Sequence, residues 1–337
     1  MLVLPSCNSG QDKIDRAAGA FEMQLAEGFT GYVVILQKGK IVFSRGAGVA
    51  NARTDALFAE TTQFDIASIT KTITGLLIAE EIAQGRLKQD TQLGSFFDIA
   101  ETPLAAVTIQ QLLTHTAGLV DVVGEDAEAV SLQKVVQRAA RTPLLYEPGA
   151  KYEYSNLGYS LLAAVLERHS GMPFEVFAMR RLASVNATST GYDQALDPAK
   201  SVTRANGQTI REMSWGGHTP GGNLIGNGGM VSTPGDMARW LSAYSQGRLV
   251  SMKALTLART SHVDETGEGR SYYGYGMVIE KDDVLGTIYW HNGGSDHFNA
   301  IWSELADKDV ILIALSDQPP YRADEMVSAL QRAMFEN

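Results

Sequence analysis

The stretch FDIASITKTITGLLIAEEIAQGRL, residues 64–87, carries a serine and a lysine three positions apart at the head of an otherwise apolar run. A serine hydroxyl is a poor nucleophile at its ordinary pKa and needs a base beside it. Residues i and i+3 of a helix share a face, so Lys71 can reach the oxygen of Ser68. Burial or neighbouring cations would lower the lysine pKa and let it accept a proton. A helix start also offers free backbone N–H groups that can stabilise an oxyanion. The spacing alone equally describes an N-cap serine followed by a surface lysine.

Two further stretches add chemistry. In YEYSNLGYS, Tyr154-Ser155-Asn156 sets a phenol that can relay protons two residues from an amide that can orient a lysine or a substrate carbonyl. The plain alternative is a tyrosine packing at a helix entry and an asparagine capping it. In WHNGGSDHF, His291-Asn292-Gly293-Gly294 closes an expected strand, where glycines let a substrate or another backbone come close. The plain alternative there is a hairpin turn.

The elements that must hold these residues read as follows. Residues 12–27 carry an amphipathic stripe of Ile14, Ala18, Phe21 and Leu25, and residues 32–46 form a hairpin turning at Lys38-Gly39. The Ser68 helix reads as amphipathic, with Ile69, Ile73, Leu76, Leu77 and Ile82 at helical spacing and Gly85 placed to stop it. From 86 to 185 the chain is helical and loop-rich, with helices at 108–119 and 155–171. The second opens on Ser155-Asn156 and closes at Gly171. Residues 186–230 read as loops, 232–247 as a helix with Pro234 near its start, 273–280, 286–291 and 309–316 as strands, and 323–335 as a last helix. This order predicts an α+β fold: an α/β lobe with an antiparallel sheet from 8–85 and 270–337, and a mainly helical lobe from 86–269 inserted between.

The bulk numbers bound the partners. With 337 residues, 28 Lys+Arg against 38 Asp+Glu and a net charge of -10, the chain can build a large core and has no basic run to bind nucleic acid or an anionic membrane. A single cysteine, Cys7, excludes an internal disulfide. Leu4-Pro5-Ser6-Cys7 is similar to a bacterial lipobox. Residues 1–7 are therefore expected to be either the remnant of a lipoprotein signal, making this an exported periplasmic or outer-membrane lipoprotein anchored at Cys7, or a tail with an incidental thiol.

Taken together and in this order, the three motifs resemble those of the penicillin-recognising serine hydrolases, the family of class C β-lactamases, D-alanyl-D-alanine peptidases and related esterases. Ser68-Ile69-Thr70-Lys71 matches S-x-x-K, Tyr154-Ser155-Asn156 matches Y-x-N, and His291-Asn292-Gly293 matches the third, [K/H]-x-G. LLTHTAGL at 112–119, YEPGAKYEYSNLGY at 146–159, GGMVSTPGDMARW at 228–240 and YGYGM at 273–277 extend the likeness over residues 12–335. The resemblance implies that Ser68 is the acylated nucleophile and that Lys71 and Tyr154 share the acid and base work. Asn156 would hold Lys71 and the substrate amide, and the N–H groups of Ser68 and Gly294 would form the oxyanion hole. His291, Asn292 and Gly293 would bind substrate. It implies a sheet flanked by helices, an all-helical lobe, a small-molecule or peptide-like substrate, and no cofactor or metal.

The departure from the β-lactamase pattern is His291, where efficient class C enzymes carry lysine. As an imidazolium it would attract a substrate carboxylate, and an anionic substrate would favour that charged form. The expectation is a serine hydrolase acting on an amide, peptide or ester, with a true β-lactamase and a nonhydrolytic penicillin-binding or sensor protein as alternatives. His115 is expected to hold a structural hydrogen bond, His297 to be a loop histidine or to border the pocket, and Trp215, Trp240, Trp290 and Trp302 to pack, with cleft lining as the alternative for Trp215 in its Gly-rich loop. His169, His218 and His262 show no metal-ligand spacing.

Overall fold

The computed structural model describes residues 9–336. The lipobox-like stretch ending at Cys7 lies outside them. Helix α1, Ser9–Ala26, leads into the hairpin of β1, Gly31–Gln37, and β2, Lys40–Ala47, whose turn places both Lys38 and Gly39 at positive φ. Short strands β3, Val49–Asn51, β4, Ala56–Leu57, and β5, Phe64–Asp65, precede a 3₁₀ turn at Ala67–Ile69 and helix α2, Thr70–Ala83. The middle of the chain supplies α3, Ile109–Leu113, α4, Leu132–Ala139, α5, Asn156–Ser170, α6, Phe174–Ala183, α7, Ile210–Trp215, β6, Val231–Ser232, α8, Pro234–Ser245, and α9, Met252–Ala258. The chain closes with β7, Val263–Asp264, β8, Ser271–Tyr273, β9, Val278–Asp282, β10, Gly286–Gly294, β11, Asn299–Leu305, β12, Val310–Ser316, and α10, Arg322–Phe335.

Eight strands form one antiparallel sheet in the order β2-β1-β12-β11-β10-β9-β8-β7. Both chain ends build it, as the α+β reading requires. Helices α1 and α10 cover one face, where Val33, Ile35, Leu312 and Ala314 join a core with Phe21 and Met326. Val34, Leu36, Ile311 and Ile313 point the other way into the larger core shared with α2 and α8. With both faces buried, β1 and β12 have no need of alternating polar residues, hence their unbroken apolar runs. Helices α8 and α9 and strand β7 come from the segment read as the helical lobe, yet α8 packs on β1 and β12, α9 on α2, and β7 on the sheet edge.

Three local expectations change. The expected helix at 108–119 stops at Leu113, after which His115 and Gly118 take positive φ. The expected strand at 273–280 is a hairpin: Tyr273 pairs with Val278, Gly274 N–H donates to Met277 O at 2.9 Å, and the turn between them leaves the sheet. Helix α2 is not amphipathic. Every residue from Thr70 to Glu81 is buried, the pattern of a helix enclosed on all sides. Its polar side chains find internal partners: Thr72 Oγ1 donates to Gly276 O at 2.7 Å and Thr74 Oγ1 to Gly226 O at 2.7 Å.

The hairpin turn and α2 touch backbone to backbone. A Cβ on Gly75 would lie 2.4 Å from Tyr275 O, and one on Gly276 only 2.1 Å from Lys71 O. Gly75→Ala is therefore expected to destabilise the protein by about 1–3 kcal/mol, the range for overpacking a close contact. In exposed mid-helix Gly19 a Cβ meets nothing, and Gly19→Ala should stabilise by up to about 1 kcal/mol. Denaturant unfolding of both variants checks the pair; equal effects would mean that the α2 contact does not limit packing.

Candidate active site

Ser68 lies in the 3₁₀ turn that opens α2, on a backbone with an unusual bend. Ala67, the residue before it, has φ +40. The buried carboxylate of Asp65 accepts the Ala67 N–H at 2.8 Å, and the end of β10 presses on the same turn. A Cβ on Gly293 would sit 2.3 Å from Ile66 O and 2.8 Å from Ser68 N, so only glycine lets the strand approach the nucleophile this closely. Gly294, next along, faces open space.

Lys71 has no solvent exposure. Its ammonium reaches three acceptors: Ser68 Oγ at 2.9 Å, Asn156 Oδ1 at 2.7 Å and the carbonyl of Asn227 at 2.8 Å. Burial lowers its pKa to about 7, with Asp121 and Asp126 opposing the shift. The Lys71 nitrogen also stands 4.9 Å from the centroid of the Tyr154 ring. Burial raises the Tyr154 phenol above its ordinary value, and the Ser68 hydroxyl beside it pulls the other way. At neutral pH the phenol keeps its proton while the lysine is poised to take one.

The Tyr154–Asn156 segment is held from behind. Ser155 caps α5, accepting from Gly158 N–H at 3.2 Å and donating to Val120 O at 2.8 Å. The Ser155 N–H donates to Nδ1 of His115 at 3.1 Å, which leaves the proton of a neutral imidazole on Nε2. His115 packs among the rings of Tyr154, Tyr159 and Tyr273, and burial holds its pKa well below the ordinary value. It thus fills the structural role expected of it. The Asn156 N–H donates to Asp121 Oδ1 at 2.8 Å.

The third motif lands differently from expectation. Side chains alternate along a strand. On β10, His291 and Gly293 face α2, whereas Asn292 turns to the other face and donates to Asp324 Oδ1 of α10 at 2.8 Å. Asn292 is therefore not a side-chain contact for substrate. Nor is His291 an imidazolium at the pocket surface. It is buried, its Nε2 is 3.1 Å from the Tyr273 hydroxyl and its Nδ1 2.6 Å from Asn292 O. Burial, helped by the Lys71 charge, lowers its pKa to about 3, so it is neutral across the physiological range. The expected attraction for a substrate carboxylate is corrected accordingly.

The carbonyl of Asn227 carries one of the three Lys71 contacts and was invisible in the sequence, because a backbone acceptor has no residue signature. Asn227 Nδ2 in turn donates to Ser160 Oγ at 2.7 Å, which ties it to α5. Trp215 and Trp302 are packed, donating to Gly229 O at 3.1 Å and Thr72 Oγ1 at 3.2 Å; Trp240 is fully buried, and Trp290 donates to Glu280 at 3.2 Å. His297 sits in the β10–β11 turn, with its carbonyl accepting from Arg204 at 3.3 Å.

Over residues 20–333 the chain matches the Beta-lactamase family. The chain belongs to the beta-lactamase family of serine hydrolases. Among curated relatives it is similar to Penicillin-binding protein 4* of Bacillus subtilis, 27% identical over 318 residues that cover 86% of this chain and 68% of the relative. It is also similar to Esterase EstB of Burkholderia gladioli, 27% identical over 313 residues covering 76% and 79%. Among solved structures, a penicillin binding protein from Bacillus halodurans superposes with a TM-score of 0.79 at 24% identity, covering 93% of this chain and 98% of that one. A Beta-Lactamase/D-Alanine Carboxypeptidase from Pseudomonas syringae gives 0.80 at 18% identity, covering 95% and 98%. These two share the beta-lactamase-family fold.

The Lys71 environment sets a pH dependence. A lysine accepts a proton only when it is uncharged, and with a pKa of about 7 that fraction grows as pH rises. For a neutral ester, kcat/KM should climb through about pH 7 and level off above it. Asn156→Asp would put a carboxylate against the ammonium, favour its charged form and move the rise to higher pH. A profile whose midpoint is the same in both proteins would remove Lys71 as the titrating base.

Proposed function

We propose that this protein is a serine hydrolase that forms an acyl-enzyme on Ser68 from an amide, peptide or ester substrate. The observation that carries the reading is the fully buried Lys71 amine, 2.9 Å from Ser68 Oγ and with a pKa near 7. Neutral Lys71 takes the Ser68 proton as the oxygen attacks the substrate carbonyl. The N–H groups of Ser68 and Gly294 receive the developing oxyanion, Gly293 letting the strand come close enough to the turn for the two to converge. Tyr154, protonated and beside Ser68, passes a proton to the leaving group and is replenished through Lys71. Water then attacks the ester carbonyl on Ser68, gives its proton to the same relay, and frees the acid.

Asn156 fixes the lysine with its Oδ1 and leaves its NH₂ for the substrate amide oxygen. The esterase among the relatives supports ester turnover. The neutral, buried His291 argues against a site tuned for carboxylate-bearing β-lactams, so β-lactamase activity is the lesser reading.

Ser68→Ala should lower ester turnover on the order of 10³-fold or more and abolish covalent labelling by a fluorophosphonate, read by intact mass. Label that persists on the alanine variant would refute Ser68 as the nucleophile. Lys71→Ala and Tyr154→Phe should each cost activity, and the double variant should be little worse than the poorer single one, because the two act in one relay. Multiplying losses would separate them.

A further inference from the structure

The peptide between Gly293 and Gly294 has no Cβ on either flank, so its own residues do little to fix its plane. Its N–H is one of the two donors assigned to the oxyanion, and its orientation has to be set from outside. The β10–β11 ladder sets part of it. Gly294 stands opposite Asn299, and the next pair toward the turn is joined by the Ser295 N–H donating to Phe298 O at 2.9 Å. Pairs along an antiparallel ladder alternate between bonded and unbonded, so Gly294 stands at an unbonded pair and its N–H points away from β11. Strand β9 follows β10 only as far as Trp290, which leaves that edge without a partner strand.

The rest comes from one side chain. Asn299 is 2% exposed, and both ends of its amide are engaged. Its Oδ1 accepts from the Ala323 N–H at 2.6 Å and the Asp324 N–H at 3.4 Å, at the start of α10. Its Nδ2 donates to Asp324 Oδ2 at 2.7 Å and to Gly293 O at 3.2 Å. These bonds use the two lone pairs and two protons that the amide has, so it cannot turn without breaking them. A planar trans peptide holds its C=O and N–H on opposite sides. Holding Gly293 O toward Asn299 therefore holds the Gly294 N–H toward the open edge. The Asp324 carboxylate is gripped in turn, its Oδ1 accepting from Asn292 Nδ2 at 2.8 Å, and bonds to an ionised group are the stronger kind. Asn292 and Asn299 both reach α10 on one face of the sheet, while Gly293 presses on Ile66 O and Ser68 N from the other.

We propose that Asn299, held by Asp324, is a positioning residue of the oxyanion hole: its amide fixes the Gly293–Gly294 peptide in the orientation that presents the Gly294 N–H beside Ser68. The inference rests on the acyl-serine reading, with Gly294 as the second oxyanion donor. Asn299 and Asp324 touch no reacting atom and take no part in proton transfer.

Steady-state hydrolysis of p-nitrophenyl butanoate and inhibition by phenylboronic acid test this. The boronate forms a tetrahedral adduct on the serine with an oxygen in the hole, so its affinity reports the hole and not ground-state binding. Asn299→Ala should lower kcat about 10-fold, short of the roughly 10²–10³-fold lost when an oxyanion donor is removed outright. KM should stay within about 3-fold, because acylation and deacylation both pass through an oxyanion. The boronate inhibition constant should rise about as much as kcat falls, and the midpoint of the pH profile, set by Lys71, should not move. Asp324→Asn, at a half-buried position, takes one acceptor from the pair of asparagines and should act in the same direction, about 3-fold. Gln331→Ala is the control for simple stapling of α10 to the sheet: Gln331 Nε2 donates to Ser303 Oγ of β11 at 3.0 Å, and its loss should leave kcat and boronate affinity unchanged. Unaltered kcat and boronate affinity in folded Asn299→Ala, an equal loss in Gln331→Ala, or a shifted pH midpoint would overturn the positioning role and leave the hydrolase reading standing. Should Asn299→Ala not fold, Asp324→Asn decides by the same readouts. No turnover by the unaltered protein, with Ser68 unlabelled by a fluorophosphonate, would overturn both.

Discussion

An ammonium group without solvent must find its acceptors inside the protein or give up its proton. Lys71 does some of each. Its three acceptors come from three separate segments: the turn before α2, the start of α5 and the loop leading to β6. None can move without leaving a buried polar group unmatched, so the relative position of these segments is pinned by one side chain. The remaining desolvation is not cancelled, and it appears as the lowered pKa that the proposed base role of the lysine requires. The same burial thus explains both the architecture and the reactivity.

Burying Lys71 requires burying its helix. Strand, hairpin and helices wrap α2 so closely that the 275–276 backbone touches it at Gly75 and at the Lys71 carbonyl. The threonines of α2 replace water with carbonyls of Gly226 and Gly276. Helix α2 is therefore the mast of the molecule, and its polar residues are structural fasteners placed on the faces where loops cross. Strand β10 then links this centre to the outside. Its odd-numbered residues at the end of the strand, His291 and Gly293, meet the site, while Asn292 ties the strand to α10 through Asp324, which also accepts from Asn299.

Ser68, Lys71, Tyr154 and Asn156 stand at helix starts that are anchored in the core. A family can hold such a set constant and vary the loops around it, which is why membership in this family names a chemistry and not a substrate. In this chain burial keeps His291 of the third motif neutral.

Several features were legible in the residues alone because they depend on near neighbours. The α5 boundaries follow from Ser155 and Gly171, the hairpin from Lys38-Gly39, and the Ser68–Lys71 contact from a spacing of three at a helix start. The buried strands at 31–37 and 310–316 follow from their apolar runs. The folding of both chain ends into one sheet, with a helical region between, followed from the order of these elements. What depended on distant neighbours was not legible. The YGYGM stretch reads as strand by composition, but pairing of β8 with β9 and contact with α2 make it a turn. The third acceptor of Lys71 is a main-chain carbonyl, which any residue could supply. Asn292 could have been assigned to the far face from the period of two, had the direction of His291 been known. The charge of His291 could not, because its pKa is set by how much water the assembled fold removes from around it, and desolvation is a property of the packed molecule and not of any residue.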